Sequence, residues 1–442
     1  MKKLILSYFI FFFIIAGCSK IITLPEDVTI ISNVNVVTMD SDTLLANHSV
    51  IVQGDSILMV IPNSKIKIPA KATVIDGTGK YLMPGLVDMH THIRDTSNLS
   101  KYIRYGVTTV RDMAGNIGTP LAWRNQIIAG KLTGPRIIAA SPFVSNEDGF
   151  PKNAETIDSA KASIRAYHQK GYDLIKAFRM RPEIFKAVMQ EANALGITVS
   201  GHLPDRGISQ ALKGNYDIPI DIVLESGFKS IEHLNELILS SFREEWNNVK
   251  MEKLAAKIAS SNTAVTTLIG TDIIIASILQ PGGEKIVDSL ANVIEKRGVE
   301  GELEGFKNQT NFIINSRPPI PDALSTRVPE FTFKILRALD EAGVTLLAGT
   351  DSHNPLFYAG ESLHFELEQI ARAGLTPYQV LEMSTTNAAK FLGKKNQFGK
   401  VVKGLKADMI LLDQNPLLSI SATRSIRGVM LNGEWFEIEQ LN

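Results

Sequence analysis

The chain has 442 residues, of which 44% are hydrophobic and 21% are charged, with 46 basic and 46 acidic side chains. This composition is typical of a folded globular protein and excludes disorder as the main state. A protein that binds nucleic acid needs a basic surplus, so the neutral balance argues against that class. The only cysteine is Cys18, so the chain forms no intramolecular disulfide.

The N-terminus has the pattern of a secretion signal. Lys2 and Lys3 precede an apolar run at residues 4–15, which is too short to span a bilayer comfortably. The tetrapeptide IAGC at residues 15–18 resembles a bacterial lipobox, in which the cysteine is lipidated and becomes the first residue. The alternative is an uncleaved anchor with a chance cysteine. We expect residues 1–17 to be a lipoprotein signal peptide, and acyl chains on Cys18 to hold the protein at a membrane of the bacterial cell envelope.

Short β-like segments occur near both ends of the mature chain. Near the N-terminus, β-branched runs flank Gly54-Asp55, which predicts a hairpin. Near the C-terminus, apolar runs precede Asn432-Gly433, a pair typical of a type I′ turn. Because both β-rich ends need cover for their apolar faces, we expect residues 18–82 and 395–442 to form one small, discontinuous β-sandwich domain.

Between these ends, eight short apolar segments alternate with helical stretches, as in βα units. The segments are residues 86–89, 108–111, 136–140, 173–177, 197–200, 230–232, 264–269 and 345–348. Eight such strands close a TIM barrel, so the α/β fold class follows, with the catalytic barrel at residues 83–394. The interval at about 270–330 is too long for an ordinary connection, which predicts an inserted helical excursion.

Polar side chains lie in or just after five of these segments. They are His90 and His92 at the first, Lys176 in the fourth, His202 after the fifth, His233 after the sixth and Asp351 after the eighth. Because the C-terminal ends of parallel barrel strands meet at one face, we expect these side chains to converge there. Two histidines two residues apart on a strand point the same way and form half a metal site. From its position alone, Lys176 either has a function or extends to the barrel rim.

The segment MPGLVDMHTH at residues 83–92 resembles the opening metal motif of the amidohydrolase superfamily. The resemblance covers nearly the whole mature chain and is closest to the branch with imidazolonepropionase and the metal-dependent Xaa-Pro dipeptidases. It implies one or two divalent metal ions, with zinc as the first choice. In the two-metal arrangement, one ion is held by His90, His92 and Asp351, the other by His202 and His233, and a carboxylated Lys176 bridges them. Without carboxylation, the site holds one metal.

The resemblance also implies hydrolysis of an amide C–N bond by metal-activated hydroxide, with Asp351 as the proton shuttle. The expected substrate is a small molecule or short peptide, such as a Xaa-Pro dipeptide. The alternatives are a cyclic amide, as in imidazolonepropionase, or an N-acyl amino acid. A non-enzymatic alternative is a surface lipoprotein that binds metal or peptide. Substrate-binding residues and the oligomeric state stay open.

Other polar residues near the barrel ends have weaker assignments. Three histidines are expected to face water and not to bind metal: His48, His168 and His364. His353, two residues after Asp351, either contacts substrate or is an ordinary loop residue. For Arg111 and Arg179 we weigh two roles equally, namely binding of a substrate carboxylate and a salt bridge that holds the loops.

Overall fold

The computed structural model describes residues 22–113, 119–146, 153–204, 218–241, 247–297, 302–316, 328–352 and 356–441. Cys18 with the predicted signal peptide lies outside these residues, and so does His353. Within the described ranges, no helix has both the length and the apolar character needed to span a membrane.

Each segment predicted as a barrel strand contains a strand. The described strands are, in chain order, β1 (Thr29–Val37), β2 (Leu44–Gln53), β3 (Ser56–Pro62), β4 (Thr73–Asp76), β5 (Tyr81–Pro84), β6 (Leu86–Thr91), β7 (Val107–Asp112), β8 (Arg136–Ala139), β9 (Leu174–Ala177), β10 (Thr198–Gly201), β11 (Ser230–Glu232), β12 (Ala264–Thr266), β13 (Leu346–Leu347), β14 (Met409–Leu412), β15 (Ile426–Leu431) and β16 (Glu434–Glu437). The described α-helices are α1 (Ser97–Arg104), α2 (Thr119–Ile128), α3 (Ile157–Gln169), α4 (Pro182–Leu195), α5 (Ile220–Glu225), α6 (Leu234–Ser241), α7 (Asn248–Ser261), α8 (Ile269–Leu279), α9 (Gly283–Arg297), α10 (Glu302–Ser316), α11 (Val328–Glu341), α12 (Glu361–Arg372), α13 (Pro377–Met383) and α14 (Thr386–Phe391).

Strands β6 to β13 form a ring of parallel strands in chain order. Strands β6, β7 and β8 pair in sequence, and so do β9 to β13. A parallel bridge between Ala140 and Leu174 continues the ring from β8 to β9. The ring closes where Met89 N donates to Ala348 O at 2.9 Å. This is the arrangement of a TIM barrel, which confirms the predicted fold class.

Strands from both ends of the described chain share a second sheet. Its order is β16-β15-β14-β5-β1-β2-β3, with β4 beside β1. Strand β14 runs antiparallel to β5, the strand that leads into the barrel. Asn432 and Gly433 have φ values of 49° and 81°, as the predicted type I′ turn between β15 and β16 requires. The boundaries of the composite domain, at residues 82/83 and 394/395, stay a proposal.

The barrel helices follow ordinary sequence rules, as α4 illustrates. Pro182 occupies its first turn, and Gly196 ends it in the left-handed conformation with φ 70°. Its apolar residues recur at helical spacing and are buried: Ile184, Phe185, Val188, Met189 and Ala192. In the predicted insertion, α8, α9 and α10 account for most of residues 269–316, so the described part of that interval is helical as expected.

A buried histidine joins a barrel helix to the C-terminal segment. His364 of α12 is 1% exposed. Its Nε2 lies 3.1 Å from the carbonyl oxygen of Tyr105, and its Nδ1 lies 2.9 Å from Thr423 Oγ1. Burial is the main cause that lowers the pKa of His364 to about 4. The expectation that this residue faces water is wrong, because the turn at residues 420–424 packs against α12, a contact that helical periodicity does not reveal.

We expect the stability of a His364→Gln variant, relative to wild type, to increase as the pH falls from about 7 to about 4. Between the folded pKa of about 4 and the ordinary value of 6.5, the unfolded chain binds a proton that the folded protein does not. The wild type therefore loses up to about 3 kcal/mol in this window through His364, whereas glutamine does not titrate. Urea unfolding across this pH range measures the difference, with the exposed His168→Gln as control. Parallel pH profiles for wild type and His364→Gln would contradict this assignment.

Candidate metal centre

The fold brings the predicted ligands together at one end of the barrel. The ring centroid of His233 lies 5.3 Å from that of His90 and 4.8 Å from that of His202. His92 Nε2 lies 2.9 Å from Asp351 Oδ1. The Lys176 charge is close enough to lower the pKa values of His90 and His202, for which burial is the larger cause.

Three of these residues form a compact group of donor atoms. His90, His233 and Asp351 each offer one atom within 4.8 Å of the other two, and all three are buried. His90 Nε2 lies 3.6 Å from Asp351 Oδ1, and His233 Nε2 lies 3.9 Å from Asp351 Oδ2. His92, which we predicted to share one ion with His90 and Asp351, is not in this group of three but lies against it, since it contacts Asp351 directly.

Two residues of the cluster have an uncommon backbone conformation, and a glycine allows two of its segments to lie close together. His233 and Asp351 have φ values of 70° and 58°, in the left-handed region that residues other than glycine rarely adopt. Such conformations concentrate at functional sites. Gly349 lies so close to barrel strand β6 that an added Cβ would be 2.8 Å from the Cβ of His90. The absence of a side chain there lets the Asp351 segment approach His90.

Carboxylates contact the Nδ1 atom of three candidate histidines. The pairs are His90 with Glu232 at 2.8 Å, His202 with Glu236 at 3.0 Å, and His233 with Asp272 at 3.4 Å. Such partners fix the orientation and tautomer of metal-binding histidines. Neither Glu236 nor Asp272 was among the residues predicted from the sequence. A signal existed for Asp272, because it is the one charged residue within the largely apolar helix α8.

Asp88 holds the two segments of the cluster in register. Its carboxylate accepts hydrogen bonds from Thr350 Oγ1 at 2.6 Å, from Thr350 N at 3.1 Å and from His90 N at 3.2 Å. Burial raises the pKa of Asp88 to about 7. Burial alone would also raise the pKa of Asp351, but the hydrogen bond from His92 and the charges of His90 and His92 hold it well below its ordinary value. Asp351 is thus kept as a carboxylate.

Arg111 lies inside the barrel, away from solvent. It is fully buried, and its Nη2 lies 2.8 Å from both carboxylate oxygens of Glu232. Of its two weighed roles, the geometry therefore favours a salt bridge, although the bridge is internal and not between loops. Arg179 remains at the rim, where its guanidinium stacks 4.9 Å from the ring of Phe178. That ring in turn lies 4.9 Å from His202.

Lys176 is buried without a hydrogen-bond partner. It is 0% exposed, which excludes the interpretation that it extends to the barrel rim. Its Nζ has no hydrogen-bond partner among the described residues. An isolated ammonium in such a place is costly, and burial accordingly lowers the pKa of Lys176 to about 8. The neutral amine is therefore more accessible for Lys176 than for an ordinary lysine.

The chain matches a known family model over most of its length. The model of the amidohydrolase family matches residues 81–436. An imidazolonepropionase of Shouchella clausii strain KSM-K16 is 22% identical over 390 residues, which cover 84% of this chain and 80% of that protein. A crystal structure of a Xaa-Pro dipeptidase with bound methionine in the active site has a TM-score of 0.66 and 18% identity, and covers 93% of this chain and 100% of its own. Phenylurea hydrolase B has a TM-score of 0.67 and 21% identity over 93% of this chain and 97% of its own. At these identities, the structural likeness shows the fold.

The chain belongs to the amidohydrolase family. It is a hydrolase that acts on carbon–nitrogen bonds, and the family uses divalent metal ions. The residues present fit such an ion. Imidazole nitrogens and a carboxylate are ligands that zinc and similar divalent metals accept. The buried Nε2 of His90, like Lys176 Nζ, has no hydrogen-bond partner among the described residues, so both atoms are available to a ligand at the cluster.

Proposed function

We propose that this amidohydrolase cleaves the amide bond of a small peptide, such as a Xaa-Pro dipeptide, with zinc as its metal. The observation that carries the proposal is the buried group of His90, His233 and Asp351, with the unpartnered Lys176 beside it. A divalent metal held here would supply Lewis acidity for the substrate carbonyl and for water. The structural likeness to a Xaa-Pro dipeptidase supports a peptide as substrate.

The metal would be held by the residues singled out in the sequence. They are His90, His92 and Asp351 for one ion, His202 and His233 for a second, with a carboxylated Lys176 between them. The carboxylation joins Lys176 Nζ to the carbon of CO2, and the amine loses a proton, so that a cation becomes an anionic oxygen ligand. This reaction needs the neutral amine. A lysine with a pKa of about 8 is neutral far more often near neutral pH than an ordinary lysine.

Asp351 is suited to move the proton. Asp351 is ionised and lies beside the proposed metal, so one carboxylate oxygen would take the proton of the attacking water and deliver it to the departing nitrogen. His92 Nε2 lies 2.9 Å from Oδ1 and fixes the carboxylate in place. A second candidate substrate is a cyclic amide, because the chain matches imidazolonepropionases over most of its length.

A dipeptide panel tests this function. We expect the fragment from Ser19 onward to bind zinc and to hydrolyse Xaa-Pro dipeptides, and a chelator to abolish turnover. Asp351→Asn keeps the size of the side chain but removes its basicity, so kcat should fall by at least about 100-fold, the usual contribution of a general base. Thr386→Val, a polar side chain on α14 outside the cluster, serves as the control. Zinc-loaded protein that cleaves neither a linear nor a cyclic amide would refute the proposal.

The carboxylated lysine has its own test. Lys176→Ala should lower both the metal content and the activity, and short carboxylic acids should restore part of both because they supply the missing anionic oxygens. Lys229→Ala, at a half-buried lysine immediately before β11, provides a matched control that should retain both. Full occupancy of two metals in Lys176→Ala would exclude the bridging role. Mass spectrometry of the native protein at raised bicarbonate should detect the added CO2.

We further propose that Cys18 is lipidated and anchors the protein at a membrane of the cell envelope. The support is the lipobox-like segment at residues 15–18. Expression of the full chain in bacteria with a labelled fatty acid should label the wild type and leave Cys18→Ser unlabelled. Equal labelling of both proteins, or release of the wild type into the soluble fraction, would count against the anchor.

A further inference from the structure

Arg111 makes contacts that cross the interior of the barrel. The residue lies on β7, yet each nitrogen of its guanidinium reaches another strand. Nε donates to the carbonyl oxygen of Met89 on β6 at 2.5 Å, and Nη1 donates to Ser230 Oγ on β11 at 3.1 Å. Nη2 lies 2.8 Å from both Glu232 oxygens and donates to Thr266 Oγ1 on β12 at 3.1 Å. The planar fork of arginine is matched to such a set, and a lysine ammonium is not.

Two of these contacts converge on His90. The Met89 carbonyl belongs to the peptide unit that enters His90, so its hydrogen bond with Arg111 fixes the backbone on one side of the histidine. On the other side, Glu232 Oε2 lies 2.8 Å from His90 Nδ1, and the same oxygen is held by Arg111. Backbone and ring of His90 are therefore both fixed by one guanidinium. The Nε2 atom is left facing Asp351.

Arg111 is enclosed by protein on all sides. The side chain is fully buried, so it is not exposed to solvent. The ring of Phe391 lies 5.2 Å from the guanidinium carbon and packs against it. Burying such a cation is worthwhile only if its donors are satisfied, as they are here. What the arrangement provides is a fixed position for Glu232 and, through it, for His90.

We propose that Arg111 is a positioning residue that sets the metal affinity of the site by fixing His90 from two sides. The inference rests on the proposed function only in taking His90 as a metal ligand. The rival interpretation is that Arg111 simply ties strands together and contributes to stability alone. The two differ in what happens to zinc binding when the guanidinium is removed.

The test measures the zinc affinity of Arg111→Met and Arg111→Lys by competition with a chromophoric chelator. Loss of an outer partner of a ligating histidine typically weakens metal binding by about 10- to 100-fold, and we expect that range for Arg111→Met. Lysine keeps the charge but cannot contact Met89 O and both Glu232 oxygens together, so Arg111→Lys should bind zinc at least about threefold more weakly than wild type. Arg111→Lys also decides the question if Arg111→Met does not fold.

Arg136→Met is a closely matched control. Arg136 likewise contacts a carboxylate, a hydroxyl and an aromatic ring: Asp408 Oδ2 at 2.9 Å, Thr109 Oγ1 at 3.0 Å, and the ring of Phe398 at 4.7 Å. It joins β8 to the second sheet, and none of these contacts involves the cluster, so its loss should lower the melting temperature without changing zinc affinity. Wild-type affinity in a folded Arg111→Lys, or equal losses in the Arg111 and Arg136 variants, would overturn the inference. Because the readout is zinc affinity, a wild type that binds zinc but cleaves no amide would reject the proposed function and leave this comparison intact.

Discussion

The cost of burying charge inside the barrel governs the arrangement of this site. A charged group withdrawn from water must be paired or fully hydrogen-bonded. Several of the buried ionisable groups here obey that rule: Arg111 with Glu232, Asp88 with Thr350 and the His90 amide, and Glu366 with Thr267 and two backbone amides. Among the described residues, Lys176 Nζ and His90 Nε2 have no hydrogen-bond partner. Buried atoms without partners are rare in folded proteins, so their presence beside Asp351 marks the place where a ligand belongs.

A second buried carboxylate with satisfied hydrogen bonds links the cluster to the helical insertion. Glu366 of α12 is buried and accepts hydrogen bonds from Thr267 Oγ1 at 2.5 Å, from Ile269 N at 2.9 Å and from Gly270 N at 2.7 Å. It thereby satisfies backbone groups at the start of α8, which no intrahelical bond can reach. Burial raises the pKa of Glu366 to about 7. One turn further along α8, Asp272 contacts His233, so the carboxylate on α12 helps determine where a candidate ligand lies.

The sequence predicts those features that produce a regular pattern of residues along the chain. The alternation of short apolar segments with helices predicted all eight barrel strands, and polar residues at their ends predicted which side chains converge. Contacts between distant strands leave no such pattern. Arg111 and Glu232 are 121 residues apart and form an ion pair only because the ring places β7 opposite β11. Likewise, periodicity placed His364 on an outer face, but it cannot show that the segment at residues 420–424 covers that face. The grouping of His233 with His90 and Asp351 depends on left-handed backbone at two of the three residues, which no spacing rule predicts.

The cluster is buried on one side and partly exposed to solvent on the other. The side chains of His90 and Glu232 are 1% and 0% exposed, whereas those of His92 and His202 are 21% and 23% exposed. The closed side is the one that Arg111 holds rigid, and the open side lies along His92 and His202. Asp351 is 7% exposed and lies behind these two histidines, so the open side is the one from which the proposed substrate would reach it. The stack of Arg179 on Phe178 borders this open side next to His202, so the rim near His202 is where differences in side chains would change which amide is accepted.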